Sequence, residues 1–130
     1  MNRWRLQLHA AAAWLFLASI IVQVFLAGAA IRQLGGSDSF ASHVDFGYTW
    51  VGLAALALVV TAIVARIGRR SILITLGLMA LYIVQTLLPA ARASIPALAA
   101  LHPVNAMLLF GLAIWYAWRA WRMASAAPAT

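Results

Sequence analysis

Hydrophobic residues fall into four long runs separated by short breaks: about Leu6–Ile31, Phe46–Ala65, Ser71–Leu88 and Val104–Trp121. The runs are 18 to 26 residues long, close to the ~20 that a helix needs to cross a ~30 Å hydrocarbon core. Apolar positions within them do not alternate, which excludes barrel strands and predicts helices. The pattern therefore predicts an all-α membrane protein, a four-transmembrane-helix bundle over residues 1–123 with a disordered tail over 124–130.

The breaks carry turn chemistry. Gly35-Gly36-Ser37-Asp38-Ser39 interrupts the chain between the first two helices. Ser42-x-x-Asp45 has the spacing of a capping box, which would start the second helix near His43. Arg66–Arg70 reads as a tight turn. Pro89 ends the third helix, and Pro103 suits the first turn of the fourth, with His102 at or near its cap. Met1–Arg5 and Ala27-Gly28-Ala29 have the marks of a signal peptide and its cleavage site. The apolar stretch between them exceeds the usual 7–15 residues, so it reads as a retained helix.

Charge gives the orientation. The formal net charge of +7 comes from nine arginines set against two aspartates, with no Lys and no Glu. With the N-terminus inside, the inner ends hold Arg3, Arg5, Arg66, Arg69, Arg70, Arg119 and Arg122, and the outer connections hold only Arg32 and Arg92. Seven against two is the bias of the positive-inside rule, and predicts both termini on the cytoplasmic face of a bacterial inner membrane. Trp4, Trp115, Trp118 and Trp121 lie at the level of an inner aromatic belt. Arginines that punctuate apolar runs do not form a basic face on a soluble fold, so nucleic acid is not an expected partner. With no cysteine, disulfides, thiolate metal sites and thiol catalysis are excluded.

The polar residues inside the spans repeat. Ile21-Val22-Gln23-Val24-Phe25-Leu26 is echoed by Ile83-Val84-Gln85-Thr86-Leu87-Leu88. Each glutamine is followed by a histidine that opens the next helix, His43 after 20 residues and His102 after 17. The chain thus reads as a tandem pseudo-repeat of helical hairpins related by an axis along the membrane normal. At 1.5 Å per residue, His43 and His102 stand at similar depth, roughly 30–35 Å from the arginines at the far ends of their helices. Gln23, His43, Gln85, His102 and Asn105 are therefore expected to converge in the outer half of one bundle, facing its interior.

Two histidines at matched depth on parallel helices are what a b-type heme requires, since its iron takes axial imidazoles from opposite faces. His43 and His102 are the expected iron ligands. Gly47 and Ala106, four residues beyond each, would admit the macrocycle edge, and Phe46, Tyr48, Trp50, Met107 and Phe110 would wall the pocket. Gln23 and Gln85 would hydrogen-bond the ligating rings or a propionate. Zn or Cu held by protein alone needs a third ligand, and Asp45 is the only carboxylate nearby. The bland alternative is that each histidine caps its helix at the interface. His9 stands at the opposite membrane face without a histidine partner, and a structural role is expected for it. Nothing resembles a Ser–His–Asp set or a phosphate loop, and a stand-alone enzyme is not expected.

Gln23-Val24-Phe25-Leu26-Ala27-Gly28 and Leu101-His102-Pro103-Val104-Asn105 resemble stretches of an uncharacterised family of small bacterial four-span membrane proteins. That resemblance covers most of the chain and implies no activity. The layout also resembles one half of heme A synthase, in which histidines on the second and fourth helices of a four-helix bundle bind heme on the outer side. His43 and His102 match that plan, which implies heme b as cofactor. The glutamate which that family places just before its first histidine is missing here, where residues 39–42 read Ser-Phe-Ala-Ser. Heme holding or electron transfer is the expectation, without oxidative chemistry. Two alternatives stand beside it. One is an accessory subunit of a larger membrane complex, docking through small faces at Ala10–Ala13, Gly28–Ala30 and Ala54–Ala57. The other is a quinone or lipid site in the same polar pocket.

Overall fold

A computed structural model describes residues 2–127. Four helices are long and apolar enough to cross a membrane: α1 (Arg3–Ala30), α2 (Ala41–Val64), α3 (Arg69–Leu87) and α4 (Leu101–Ser125). No strand occurs among the described residues. In hydrocarbon the backbone must satisfy its own N–H and C=O groups, and a continuous helix does so without a partner. The helices overrun the apolar runs at most ends, because the flanking Arg, Ser and His reach the interface and need not break the ladder. α4 continues to Ser125 and Ala124 is buried, so the first two residues of the tail expected over 124–130 are helical. Residues 128–130 of that tail lie outside the described residues.

α2 is not uniform. It is α-helical over Ala41–Phe46, takes one π-helical turn over Gly47–Val51, and returns to α-helix over Gly52–Val64. The capping box expected at its start does not form. Phe40 is the N-cap and caps with no side-chain bond. Ser42 already lies within the first turn, where its hydroxyl is past the position a box requires.

The connections are short. Between α1 and α2 a 3₁₀ turn over Arg32–Leu34 leads to Gly35 and Asp38 at φ +93° and +61°. Arg32 Nε pairs with Asp38 Oδ2 at 2.7 Å, and the Arg32 N–H donates to Asp38 Oδ1 at 2.9 Å. The α2–α3 turn reverses through Arg66 and Gly68, both at positive φ. After α3 come a 3₁₀ turn over Pro89–Ala93 and a single helical turn over Pro96–Ala99, each with proline in its first positions.

α1 packs against α2 and α4, and α3 packs against the same two, so the helices form a ring in chain order. α2 and α4 therefore face each other across a diagonal. The core is built on small residues that let helices approach closely: Ala10 and Ala13, Ala54 and Ala55, Ala113, Ala117 and Ala120. Two of the small faces expected to serve an outside partner are thus largely inside this bundle. Of Ala10–Ala13 only Ala11 is exposed, and Ala54 and Ala55 are buried.

Candidate functional site

The ring order brings Gln23 of α1 beside His43 of α2, and Gln85 of α3 beside His102 of α4. In each pair the histidine Nδ1–H donates to the glutamine backbone carbonyl at 3.0 Å. In each pair the glutamine Nε2 lies 3.2 Å from the histidine Nε2.

The donor directions follow from the neighbouring acceptors. Gln23 Nε2 also lies 2.9 Å from the His43 backbone carbonyl, which only accepts, so the amide nitrogen donates to both atoms. On the other side Asn105 Nδ2 donates to the Leu81 carbonyl at 3.0 Å and to Gln85 Oε1 at 2.7 Å. Gln85 must then present Nε2 to His102. Both imidazoles are therefore neutral, with the proton on Nδ1 and the lone pair on Nε2.

The two imidazoles meet across the α2–α4 diagonal, with ring centroids 6.3 Å apart and planes inclined at 74°. They line a cavity of about 530 Å³ bounded by all four helices. Gln23, Gln85 and Ala106 share that lining, with Met107 and Phe110 among the expected walls. Asn105 does not line it and acts on the site through Gln85. Gly47 lines the cavity and also makes room for the Gln23 amide, since a Cβ there would stand 2.6 Å from Gln23 Nε2. The other expected walls lie elsewhere. Tyr48 and Trp50 are 60% and 62% exposed, and Phe46 packs against the core. On a regular α-helix Trp50, seven residues beyond His43, would share its face, and the π turn carries it away, whereas Tyr48, five residues beyond, points away from His43 even without the turn. Ile21, Val24 and Met107 line the cavity and are exposed on the outside of the bundle, so the cavity opens between α1 and α4.

Tyr82 is a lining residue that the sequence did not flag. Its hydroxyl donates at 3.1 Å to the carbonyl of Gly47, the first residue of the π turn. A tyrosine in an apolar span looks like core, and the partner of its hydroxyl is a backbone carbonyl on the facing helix, which no residue pattern marks.

His9 has partners of a kind other than histidine. It is fully buried between Thr61 of α2 and Tyr116 of α4. The Thr61 hydroxyl donates to the Ala57 carbonyl at 2.7 Å, so its oxygen accepts from His9 Nδ1–H at 3.0 Å. The Tyr116 hydroxyl then donates to His9 Nε2 at 2.9 Å. The expected structural role fits this three-helix tie. The sequence reading missed Tyr116, and the signal that could have found it is depth, since Tyr116 sits near Arg119 as His9 sits near Arg5.

Among the described residues no group of three His, Cys, Asp or Glu side chains could hold a metal ion. The donor set at the diagonal is two neutral imidazoles and no carboxylate.

Residues 23–92 match the model of a family of unknown function (DUF6220). The match spans Gln23, His43 and Gln85 and ends before His102. No curated protein and no solved structure matches the chain.

Proposed function

This chain belongs to that family of unknown function, and from the geometry of its own site we propose that it binds a b-type heme between His43 and His102 and carries electrons. The observation behind the reading is the approach of two neutral imidazoles, 6.3 Å between centroids, from diagonally opposed helices. His43 and His102 would hold the iron of such a group through their Nε2 atoms. A porphyrin brings its own four nitrogens, so two protein ligands suffice where a bare metal would lack a third. Each Nδ1–H is already committed to a backbone carbonyl, the outer-shell bond that fixes the tautomer of a ligating histidine. The cavity volume lies within the ~300–1,000 Å³ usual for cofactor pockets.

When bound, the heme supplies one-electron chemistry. The chain orients the imidazoles, and its apolar lining excludes water. His43 and His102 would hold the group through Nε2, and Gln23 and Gln85 would then each keep another partner, the His43 carbonyl for Gln23 and Asn105 for Gln85. Purified protein reconstituted with heme should give a Soret band that shifts on reduction. His43→Ala and His102→Ala should each abolish the six-coordinate low-spin spectrum, and His9→Ala should preserve it. A parent protein with no Soret band after reconstitution sinks the reading.

Two finer readings accompany it. The tandem hairpin pseudo-repeat is supported by the equal lengths of corresponding bonds in the two Gln–His pairs. Placement of both termini in the cytoplasm, across a bacterial inner membrane, is supported by the seven arginines at one end. A second use of the same cavity, for a quinone or lipid, is favoured by its opening between α1 and α4 onto the bilayer-facing surface. Such a ligand would bind without a Soret band, so the same spectrum separates the two.

A further inference from the structure

Among the described residues, the end of the bundle opposite the histidine pair has arginines and no acidic side chain to match. Arg3 and Arg5 open α1, Arg66, Arg69 and Arg70 lie at the α2–α3 turn, and Arg119 and Arg122 lie in the last turns of α4. Both aspartates stand at the other end, and one of them is paired with Arg32. Among the described residues, Arg119 is the only member of the seven whose guanidinium is hydrogen-bonded, from Nη2 to Ser71 Oγ at 3.2 Å. The Nε–H groups of Arg3, Arg5 and Arg119 are shielded from solvent and have no partner among the described residues. Protein encloses those Nε–H groups, whereas the Nη groups of Arg3 and Arg5 are not enclosed and are the donors that an acceptor from outside the chain would meet.

The surroundings say what kind. Trp4, Trp118 and Trp121 are exposed at the same end, as rings that sit at headgroup level are. Trp118, Trp121, Arg122 and Ser125 line an open groove of about 440 Å³ along one face of α4. Trp118, Arg122 and Ser125 follow at steps of four and three residues, so the indole and the polar groups share that face. A guanidinium binds a phosphate through a two-pronged fork, and a lysine would not reproduce it. The acceptor that arrives at this depth with its own apolar tails is a phospholipid. Seven arginines with no acidic side chain at their end among the described residues favour one of net negative headgroup, since a zwitterionic lipid brings its own ammonium.

We infer that the arginine-rich end binds the phosphate of an anionic glycerophospholipid, held by Arg3 and Arg5 of α1 and by Arg119 and Arg122 of α4 beside Trp118 and Trp121. The inference is independent of heme, because the two sites lie at opposite ends of the helices. The test compares thermal unfolding in detergent micelles doped with dioleoylphosphatidylglycerol or with dioleoylphosphatidylcholine. Phosphatidylglycerol should raise the midpoint by roughly 3 °C more than phosphatidylcholine, as expected for a ligand that binds only the folded state. Arg5→Gln/Arg119→Gln/Arg122→Gln should lose that difference, the triple Lys variant should keep only part of it, and Arg32→Gln at the other end should keep all of it. Inorganic phosphate at the same concentration should give no shift. Equal effects of the two lipids on the parent overturn the inference, as does a triple Gln variant that keeps the preference. So does a shift produced by phosphate alone, which would mark a free-anion site. If the triple Gln variant does not fold, native mass spectrometry of the parent decides: phosphatidylglycerol adducts that outlast phosphatidylcholine adducts support the site, and equal survival overturns it.

Discussion

A methyl group added at Gly52 would stand 2.6 Å from the Tyr82 hydroxyl, and 3.3 Å from the ring carbon that carries it. The ring is stiff, and its hydroxyl is held by the Gly47 carbonyl, so neither atom retreats easily. Gly52→Ala should therefore destabilise the bundle by about 1–2 kcal/mol, as overpacking does, although alanine is the better helix former by about 1 kcal/mol. In a Tyr82→Phe background the offending oxygen is gone and the propensity gain should emerge. A double-mutant cycle read by thermal unfolding checks this: additive effects would mean that the contact does not matter. Neither glycine could have been read this way beforehand. The sequence marks Gly47 as a small residue one turn beyond His43, and the inference of room for a ligand was natural. Gly47 lines the cavity and also admits the Gln23 amide, a residue 24 positions earlier whose proximity only the packing of α1 on α2 reveals.

The π turn over Gly47–Val51 sets how α2 presents its two ends. One added residue rotates the helix beyond it by about 100° and advances it by about 1.5 Å. His43 can then face Gln23 and His102 while Leu58 and Thr61, further along, keep their places in the core and on His9. Deleting Tyr48 should let α2 run as an uninterrupted α-helix and turn His43 away from Gln23. The deletion variant should remain helical by circular dichroism and should lose heme uptake at the His43–His102 site. Retention of uptake would show that the turn is not what aims the histidine. Hydrophobic periodicity cannot reveal such a turn in a span that is apolar on every side, because the phase of the pattern is lost there. The four spans themselves were legible, since length and composition decide them. Their ends were not, because arginine, serine and histidine at an interface neither break nor require a helix.

The ring order of the four helices turns two separate hairpins into one site, by putting α2 and α4 on a shared diagonal. Matched depth along the chain was enough to pair His43 with His102. It said nothing of their hydrogen bonds, which depend on which helix neighbours which. The proposed orientation of this ring rests on the seven arginines. Alkaline phosphatase fused after residue 130 should be inactive, and fused in the 32–45 connection it should be active; the reverse pattern would invert the molecule. The arginine-rich half holds a different kind of polar core, in which Tyr116, His9, Thr61 and the Ala57 carbonyl follow one another in a single donor-to-acceptor sense. A proton wire needs a mouth at each end and a chain whose polarity can reset after each passage. Here the first hydroxyl is sealed at 0% exposure, and the last member is a peptide oxygen with no proton to hand on. The tie therefore insulates: it joins three helices through polar groups in the low-dielectric interior while giving protons no way to leak along it.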